Sequence, residues 1–288
     1  MQQRLFRQID VFSHHPGFGN PVAVVLDAQG LSDADMRRFA AWTNLSETTF
    51  LMPPTAAGHA AGADYRLRIF SPRGELPFAG HPTLGTCRAW LQQGHTPRVP
   101  GLVVQESAQG LVQIEHQGET LAFAAPPLQR SKPSPALVPL VASALGLRPH
   151  QIRATQLLDN GPVWLGLLLD SADTVLGLTP DHARLKDLGQ DVGVIHIAPD
   201  AGADPERPGA VVRAFAAPMG NPEDPVTGSL NASLAQWLIG EGLAPTRYLV
   251  AQGECLGRAG RVYIHQDAQG QVWVGGHTVT CIEGTALL

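Results

Sequence analysis

Cysteine is scarce. The chain has 288 residues and three cysteines, Cys87, Cys255 and Cys281, an odd number, widely spaced and without a C-x-x-C pair. Neither a disulfide framework nor a zinc site is signalled, and a reducing compartment fits best. Charge is sparse too: charged residues make up 16%, the net charge is -5, and Lys and Arg never gather into a run. That leaves no electrostatic footprint for nucleic acid and disfavours anionic lipid. The first eleven residues carry Arg4, Arg7 and Asp10 and no apolar stretch long enough for a signal-peptide core or a membrane span; the expectation is a cytoplasmic protein with no membrane partner. No G-x-S-x-G occurs, which removes the serine-hydrolase reading. Gly17-Phe18-Gly19 hints at a dinucleotide loop, but Asn20-Pro21 leads into another strand instead of a helix, so the phosphate-binding geometry is missing. His14-His15 lacks a third ligand at metal spacing and reads as a polar turn; no metal is expected.

Apolar residues are plentiful, at 44%, and no low-complexity tract interrupts them. The chain should be globular throughout, and at about 150 residues per domain its length suggests two domains. Residues 8–13 carry a strand signal, 14–20 a turn and 21–26 an apolar run, together a hairpin-like opening. Ser32 with Asp35 three residues later is a capping-box variant, and Met36, Phe39, Ala40 and Thr43 recur at helical spacing up to Asn44. Strands are expected at 48–52 and 65–70, joined by a Pro-, Ala- and Gly-rich loop at 53–62. A second helix should run over 82–93, closed by Gly94, with further strands to Phe123. Residues 124–135 hold four prolines in twelve positions, which cannot sustain a helix or a central strand. The domain linker belongs there, giving domains 1–125 and 126–288, with the last strand free to return to the first domain.

The second half repeats the first. Arg68, Phe70, Pro72, Gly74, Glu75, Pro77 and Gly80 recur in order as Arg213, Phe215, Pro218, Gly220, Glu223, Pro225 and Gly228. The arginines are 145 residues apart and the last glycines 148, so the second copy carries a three-residue insertion. Earlier, Gly19 to Asp27 resembles Asn160 to Asp170. The competing reading is common Gly/Pro turn grammar in two unrelated domains; the length and order of the match favour duplication. Two similar halves imply a pseudo-two-fold arrangement with a cleft between them, a usual place for a ligand.

Gly80 with His81, and Gly228 with Ser229, stand where each repeat enters a helix, so unpaired backbone N–H groups and the dipole would attract an anion such as a carboxylate. Taken singly, each is equally an ordinary N-cap with a tight turn. The repeat is broken at two acids: Asp224 aligns with Leu76, and Glu47 aligns with Val192 or Gly193, so each half is expected to hold one carboxylate that its twin lacks. Paired carboxylates suit proton removal at one carbon and delivery at another. A strand rich in Thr and Phe follows Glu47 and would desolvate it. Alone, Glu47 is also compatible with a solvated edge residue, and Asp224 with a turn acid before Pro225.

The segments Gly19 to Val25, Asn44-Leu-Ser46-Glu47-Thr-Thr-Phe50, Glu75 to Thr83, Glu223 to Ser229 and Gly275 to Thr280 together resemble the PhzF family of phenazine-biosynthesis isomerases, and the resemblance covers essentially the whole chain. It implies an α+β, diaminopimelate epimerase-like fold, in which each of two similar domains wraps a mixed sheet around a central helix. It also implies an isomerase without cofactor, acting on a small carboxylate of the dihydro-hydroxyanthranilate kind, in which Glu47 carries the proton. The other family positions fall on His81 and Asp224 as catalytic partners, and on Ser46, Gly80, Gly228 and Ser229 around the substrate. Diaminopimelate epimerases use two cysteines instead, and the three here lie outside both helix-start motifs. Leu230-Asn231 departs from the small residue, often followed by His or Asn, expected after Ser229. A homodimer is expected. The alternatives are an amino-acid epimerase or racemase, or a non-catalytic small-molecule binding protein, on the same scaffold.

Overall fold

A computed structural model describes residues 2–288. It divides into two units, one ending at Ala124 and completed by Gly275–Leu288, the other Ala125–Val274.

In the first unit β1 (Gln3–Val11) and β2 (Asn20–Val25) form an antiparallel hairpin. Helix α1 (Asp33–Thr43) follows. Ser32 caps it through the expected capping box, and Asn44 ends it in the left-handed region at φ 55°, a conformation that asparagine tolerates better than most residues. β3 (Thr48–Met52) lies parallel to β2. A five-residue helix, α2 (Ala56–Ala60), then interrupts the expected loop. It forms because Thr55 caps Gly58 N, and Glu106 in turn accepts from Thr55 N and Oγ1 at 2.8 and 2.7 Å, a support too distant in sequence to be seen locally. β4 (Tyr65–Ser71), β5 (Gly74–Leu76), α3 (Gly80–Gln92), β6 (Leu102–Ser107), β7 (Gly110–Gln117) and β8 (Thr120–Ala124) complete this run.

In the second unit β9 (Gln129–Ser131) pairs with β10 (Ile152–Asp159), after α4 (Leu137–Leu145) intervenes. Three residues of the proline-rich segment thus make a strand, because the prolines at 126, 127 and 133 flank them and leave their own N–H groups intact. β11 (Val163–Leu169), α5 (Ala172–Leu176), α6 (His182–Leu188), β12 (Asp191–Ile197), β13 (Ala210–Ala216), β14 (Asn221–Asp224), α7 (Gly228–Gly240), β15 (Arg247–Gln252) and β16 (Gly260–Gln266) follow, and β17 (Val272–Leu287) begins here and belongs to the first unit from Gly275 onward.

The duplication is visible in the pairing. β1–β2, β3–β4, β4–β5 and β6–β7 are antiparallel, while β2–β3 and β4–β6 are parallel. In the same order β10–β11, β12–β13, β13–β14 and β15–β16 are antiparallel, while β11–β12 and β13–β15 are parallel. In each unit the long helix after the short strand is buried almost all round, α3 from Gly80 to Ala89 except Arg88, and α7 over most of its length. A helix without a wet face belongs inside a core. In the first unit the last stretch of β17 pairs with β1, and β17 also pairs with β8. The strand path from β1 through β2, β3, β4, β6, β7 and β8 therefore returns to β1 around α3.

Close approach of helix and strand is secured by glycine on different sides in the two units. A Cβ on Gly85 of α3 would stand 2.3 Å from Val22 Cγ1; in the second unit a Cβ on Gly193 of β12 would stand 2.2 Å from Leu230 Cδ1 of α7. The outer faces of the sheets are covered by shorter helices. Met36 and Ala40 of α1 pack on Val25, Phe50 and Phe70, and α4, α5 and α6 bring Val141, Val175 and Leu185 onto Leu165, Val192 and Val194.

Candidate active site

Alternation along β3 decides which side chains meet the central helix. Phe50 faces the α1 cluster, so Thr49, Leu51 and, one step before the strand, Glu47 face the other way. Thr86 Oγ1 of α3 lies 2.9 Å from Thr49 Oγ1, confirming the side. Glu47 Oε2 stands 3.3 Å from His81 Nε2, with the two side chains 17% and 6% exposed. His81 is the second residue of α3, whose N-cap, Ala79, offers no side chain to the first-turn amides.

This contact is not an ion pair at neutral pH. Burial pushes the His81 imidazole from 6.5 to about 3, only partly opposed by a hydrogen bond to the Pro21 carbonyl. Nε2 makes no hydrogen bond, which leaves Nδ1–H as the donor to Pro21. A neutral ring held in that tautomer presents its Nε2 lone pair to the Glu47 carboxyl. The consequence for stability has a definite sign. The unfolded chain takes up a proton on His81 below pH 6.5, whereas the folded chain does not until near pH 3. His81 therefore adds an acid-destabilising slope of up to ~1.4 kcal/mol per pH unit across that window and nothing above it. Denaturant unfolding of wild type and His81→Asn from pH 7 to 4 should show the slope reduced in the variant; equal slopes would assign the acid sensitivity to other groups.

In the second unit the same corner is built from different side chains. Asp224, 9% exposed, accepts from Thr227 Oγ1 at 2.5 Å and from Asn221 Nδ2 at 3.3 Å. Gln252, 1% exposed, ties the turn together: its Oε1 accepts from Thr227 N at 3.1 Å and Asn231 Nδ2 at 2.8 Å, and its Nε2 donates to Asp224 O at 3.2 Å and Thr227 Oγ1 at 3.0 Å. Asn231, which follows Leu230 in the segment noted after Ser229, is thus a brace of this turn. Ser229 Oγ accepts from Trp164 Nε1 at 3.3 Å, and the Ser229 carbonyl accepts from Asn160 Nδ2 at 2.9 Å. Gly228 is buried and Thr227, the N-cap of α7, makes no side-chain capping bond.

Of the residues singled out in the sequence, Glu47, Ser46, Gly80 and His81 gather in the first unit at the start of α3; Asp224, Gly228 and Ser229 gather in the second at the start of α7. The alignment of Glu47 with Val192 or Gly193 needs correction. Phe50 pairs with Arg68 and Val194 pairs with Arg213. Counting back three residues from each gives Glu47 and Asp191, so Glu47 does have an acidic twin. The expectation for Asp224 holds: Ile69 pairs with Leu76, and Ala214 with Asp224. Gln252 and Trp164 carry no motif that marks them. Asp191 does carry a local signal, an acid opening an apolar strand as Glu47 does, but sequence spacing alone misplaced it.

The thiols stand elsewhere. Cys87 lies at the eighth position of α3, its pKa pushed up by burial to about 12, while Cys255 and Cys281 are exposed. Among the described residues no group of three or more His, Cys, Asp or Glu is arranged to hold a metal, and no helix is long and apolar enough to cross a membrane.

Comparison with known proteins places this arrangement. The Bacillus anthracis phenazine biosynthesis protein of the PhzF family shares the fold with a TM-score of 0.83 at 23% identity, over 100% of both chains. The solved structures that this chain resembles share an α+β, diaminopimelate epimerase-like fold. Residues 9–284 match the family model described as phenazine biosynthesis-like protein. The chain is 35% identical to antisense-enhancing sequence 1 of Schizosaccharomyces pombe, over 100% of both chains. It is 33% identical to the trans-2,3-dihydro-3-hydroxyanthranilate isomerase of Pseudomonas aeruginosa, over 97% of this chain and 98% of that one. The chain belongs to the PhzF family and is an isomerase.

Proposed function

We propose that this isomerase moves a proton between two carbons of a small carboxylate-bearing substrate of the dihydro-hydroxyanthranilate class, with Glu47 as the group that takes and returns it. The observation that carries the reading is the 3.3 Å approach of Glu47 Oε2 to His81 Nε2 at the first turn of α3. When the carboxylate takes a proton from a substrate C–H, the electron pair stays on the substrate as a delocalised carbanion. The new carboxylic acid then has a neutral imidazole nitrogen to hydrogen-bond to, so the proton is held until it is returned at the second carbon. A permanently protonated histidine would instead hold Glu47 as an anion; burial of His81 prevents that.

In this reading Asp224 is a further catalytic partner and Ser229 a substrate-binding residue, the roles that the sequence resemblance implies for them. The bonds from Asn221 and Thr227 fix both Asp224 oxygens before any ligand arrives, which is the preorganisation that electrostatic stabilisation requires. The substrate class comes from the Pseudomonas aeruginosa relative, whose name states its substrate. The test is turnover of trans-2,3-dihydro-3-hydroxyanthranilate in D₂O, followed by NMR, in wild type and Glu47→Gln. Product carrying deuterium at the reacting carbon from wild type alone supports the reading; turnover of an amino acid by inversion, with none of this substrate, would replace it with the epimerase alternative.

A further inference from the structure

We propose that Gln252 is a positioning residue of the reaction: by donating to Thr227 Oγ1 it sets the direction of the Thr227 hydroxyl, whose proton then holds Asp224 Oδ2 in one orientation. The inference rests on the reading of Asp224 as a catalytic partner and extends it to a strand residue that no motif marks.

The direction follows from the partners. A side-chain amide can be turned end for end unless its neighbours choose for it. Here the backbone chooses both ends. The Thr227 N–H can only donate, and it meets Gln252 Oε1 at 3.1 Å; the Asp224 carbonyl can only accept, and it meets Gln252 Nε2 at 3.2 Å. Nε2 is therefore the atom that stands 3.0 Å from Thr227 Oγ1. The hydroxyl has a single proton, and with an N–H aimed at its oxygen that proton goes to Asp224 Oδ2, the acceptor on its other side. Asn231 completes the set: its Nδ2, fixed by the Thr227 carbonyl at 2.8 Å, donates to Gln252 Oε1 at 2.8 Å. Gln252, 1% exposed, thus spends both N–H groups and both lone pairs on this one turn.

The first unit shows what the same parts do without the acid. Gln105 of β6, also buried, donates from Nε2 to Thr83 Oγ1 at 3.1 Å and accepts from the Tyr65 hydroxyl at 3.0 Å. Thr83 is the fourth residue of α3, as Asn231 is of α7, so in each unit a buried glutamine ties a strand to the first turn of the central helix. Gln105 pairs with Tyr65, three residues before Arg68, whereas Gln252 pairs with Val212, one residue before Arg213. The glutamine of the second unit therefore stands two residues further along its strand. That step keeps the face and brings the amide to the corner that holds Asp224. In the first unit the corner holds Leu76, and the bonds of Gln105 go to the helix and to β4. Joining strand to helix is thus achieved without the displacement; what the displaced position adds is the reach to Thr227 and Asp224.

The consequence for the reaction lies in the carboxylate. With Oδ2 accepting a fixed O–H and Oδ1 accepting from Asn221 Nδ2, the plane of Asp224 is set in advance. An acceptor in place of Nε2 would compete with Asp224 for the Thr227 proton and free that plane. Of the residues bonded to Gln252, only Asp224 is titratable. The charged groups around the turn are Asp224 itself, Glu223 with its partner Arg213 on β13, and Arg258 and Arg261 on the side of β16.

The experiment compares kcat and KM for trans-2,3-dihydro-3-hydroxyanthranilate across neutral pH in wild type, Gln252→Glu, Thr227→Val, Thr227→Ser and Asp224→Asn. At alkaline pH Gln252→Glu, which keeps shape and replaces the donor by an acceptor, should lower kcat by about tenfold or more, the worth of one hydrogen bond to a charged group, with KM little changed. Burial and the Asp224 carboxylate would raise the pKa of the new carboxyl, so the deficit relative to wild type should shrink as pH falls and the carboxyl regains a proton to donate. Thr227→Val should show the deficit at every pH, and Thr227→Ser, which restores the hydroxyl, should recover most of it. A kcat within about threefold of wild type in both Gln252→Glu and Thr227→Val, with Asp224→Asn impaired, overturns the proposal and leaves Asp224 in the mechanism. A deficit in folded Gln252→Glu that does not change with pH also overturns it, because lost packing alone would give that result. Should Gln252→Glu fail to fold, the two Thr227 variants decide, and Thr227→Ser as impaired as Thr227→Val overturns the proposal. Full activity of Asp224→Asn, or an inactive wild type, removes the underlying reading and the proposal with it.

Discussion

Glu47→Gln is expected to cut turnover by ~10²- to 10⁴-fold, the usual contribution of a positioned proton-transfer group, while leaving the fold and substrate binding in place. The amide keeps the length and shape of the carboxyl and removes its capacity to accept a proton from carbon. It also keeps a polar group opposite His81: an amide N–H can donate to Nε2, the nitrogen that faces Glu47 at 3.3 Å. The substitution sits in the segment between α1 and β3, outside the apolar clusters on either face of the sheet, so no cavity is created. Binding measured by calorimetry should change by less than about one decade, and thermal unfolding should be close to wild type. Equal turnover in both proteins would remove Glu47 from the mechanism; loss of binding along with turnover would make it a substrate anchor.

Much of the fold was legible because its signals are local. Ser32 and Asp35 announced α1, Asn44 its end, and the valine run at 22–25 a buried strand. The duplication was legible for a reason the structure makes plain. Arg68 and Arg213 each lie over the phenylalanine two residues on, at 5.1 and 5.0 Å, and each grips the glutamate of the adjoining short strand through two hydrogen bonds. The motif that repeats in sequence is one packed unit. Two of the three inserted residues lengthen the tight turn between β4 and β5 into a single turn of 3-10 helix, Ala217–Met219, and the third is taken up by a register shift between β13 and β14.

What was not legible depends on contacts far apart in sequence. Helix α2 needs Glu106 to hold its cap, and β9 needs β10 beside it. The twin of Glu47 was misjudged because the offset between the repeats drifts with insertions, while equivalence is set by strand register. One residue of slip moves a side chain to the opposite face, and Val192, one position from Asp191, is in the apolar cluster. At the site, the brace formed by Gln252 around Asp224 arrives from β15 and leaves no trace in the sequence near Asp224.

The same duplicated ion pair yields the largest expected effect on stability. Glu223→Gln should destabilise the protein by ~3–5 kcal/mol, the cost of leaving one member of a buried pair uncompensated, whereas Glu75→Gln should cost ~0–1 kcal/mol. The pairs have the same bidentate geometry, with N···O distances of 2.8 and 2.9 Å in the second unit and 2.7 and 2.6 Å in the first. They differ in burial and in what else the arginine touches. Arg213 and Glu223 are 6% and 7% exposed, and the rest of the guanidinium is committed to the Val175 and Leu178 carbonyls, neither of which carries charge. Arg68 and Glu75 are 15% and 35% exposed, and Arg68 keeps a second carboxylate, Asp33, at 2.7 Å. Glutamine preserves volume in both places, so the difference isolates charge. Urea unfolding of the two variants beside wild type measures it, and equal costs would show that burial does not set the worth of this pair. Because Glu223 adjoins Asp224 on β14, Glu223→Gln should also lower turnover at temperatures where the protein is still folded, and Glu75→Gln, with Leu76 at the equivalent place, should not.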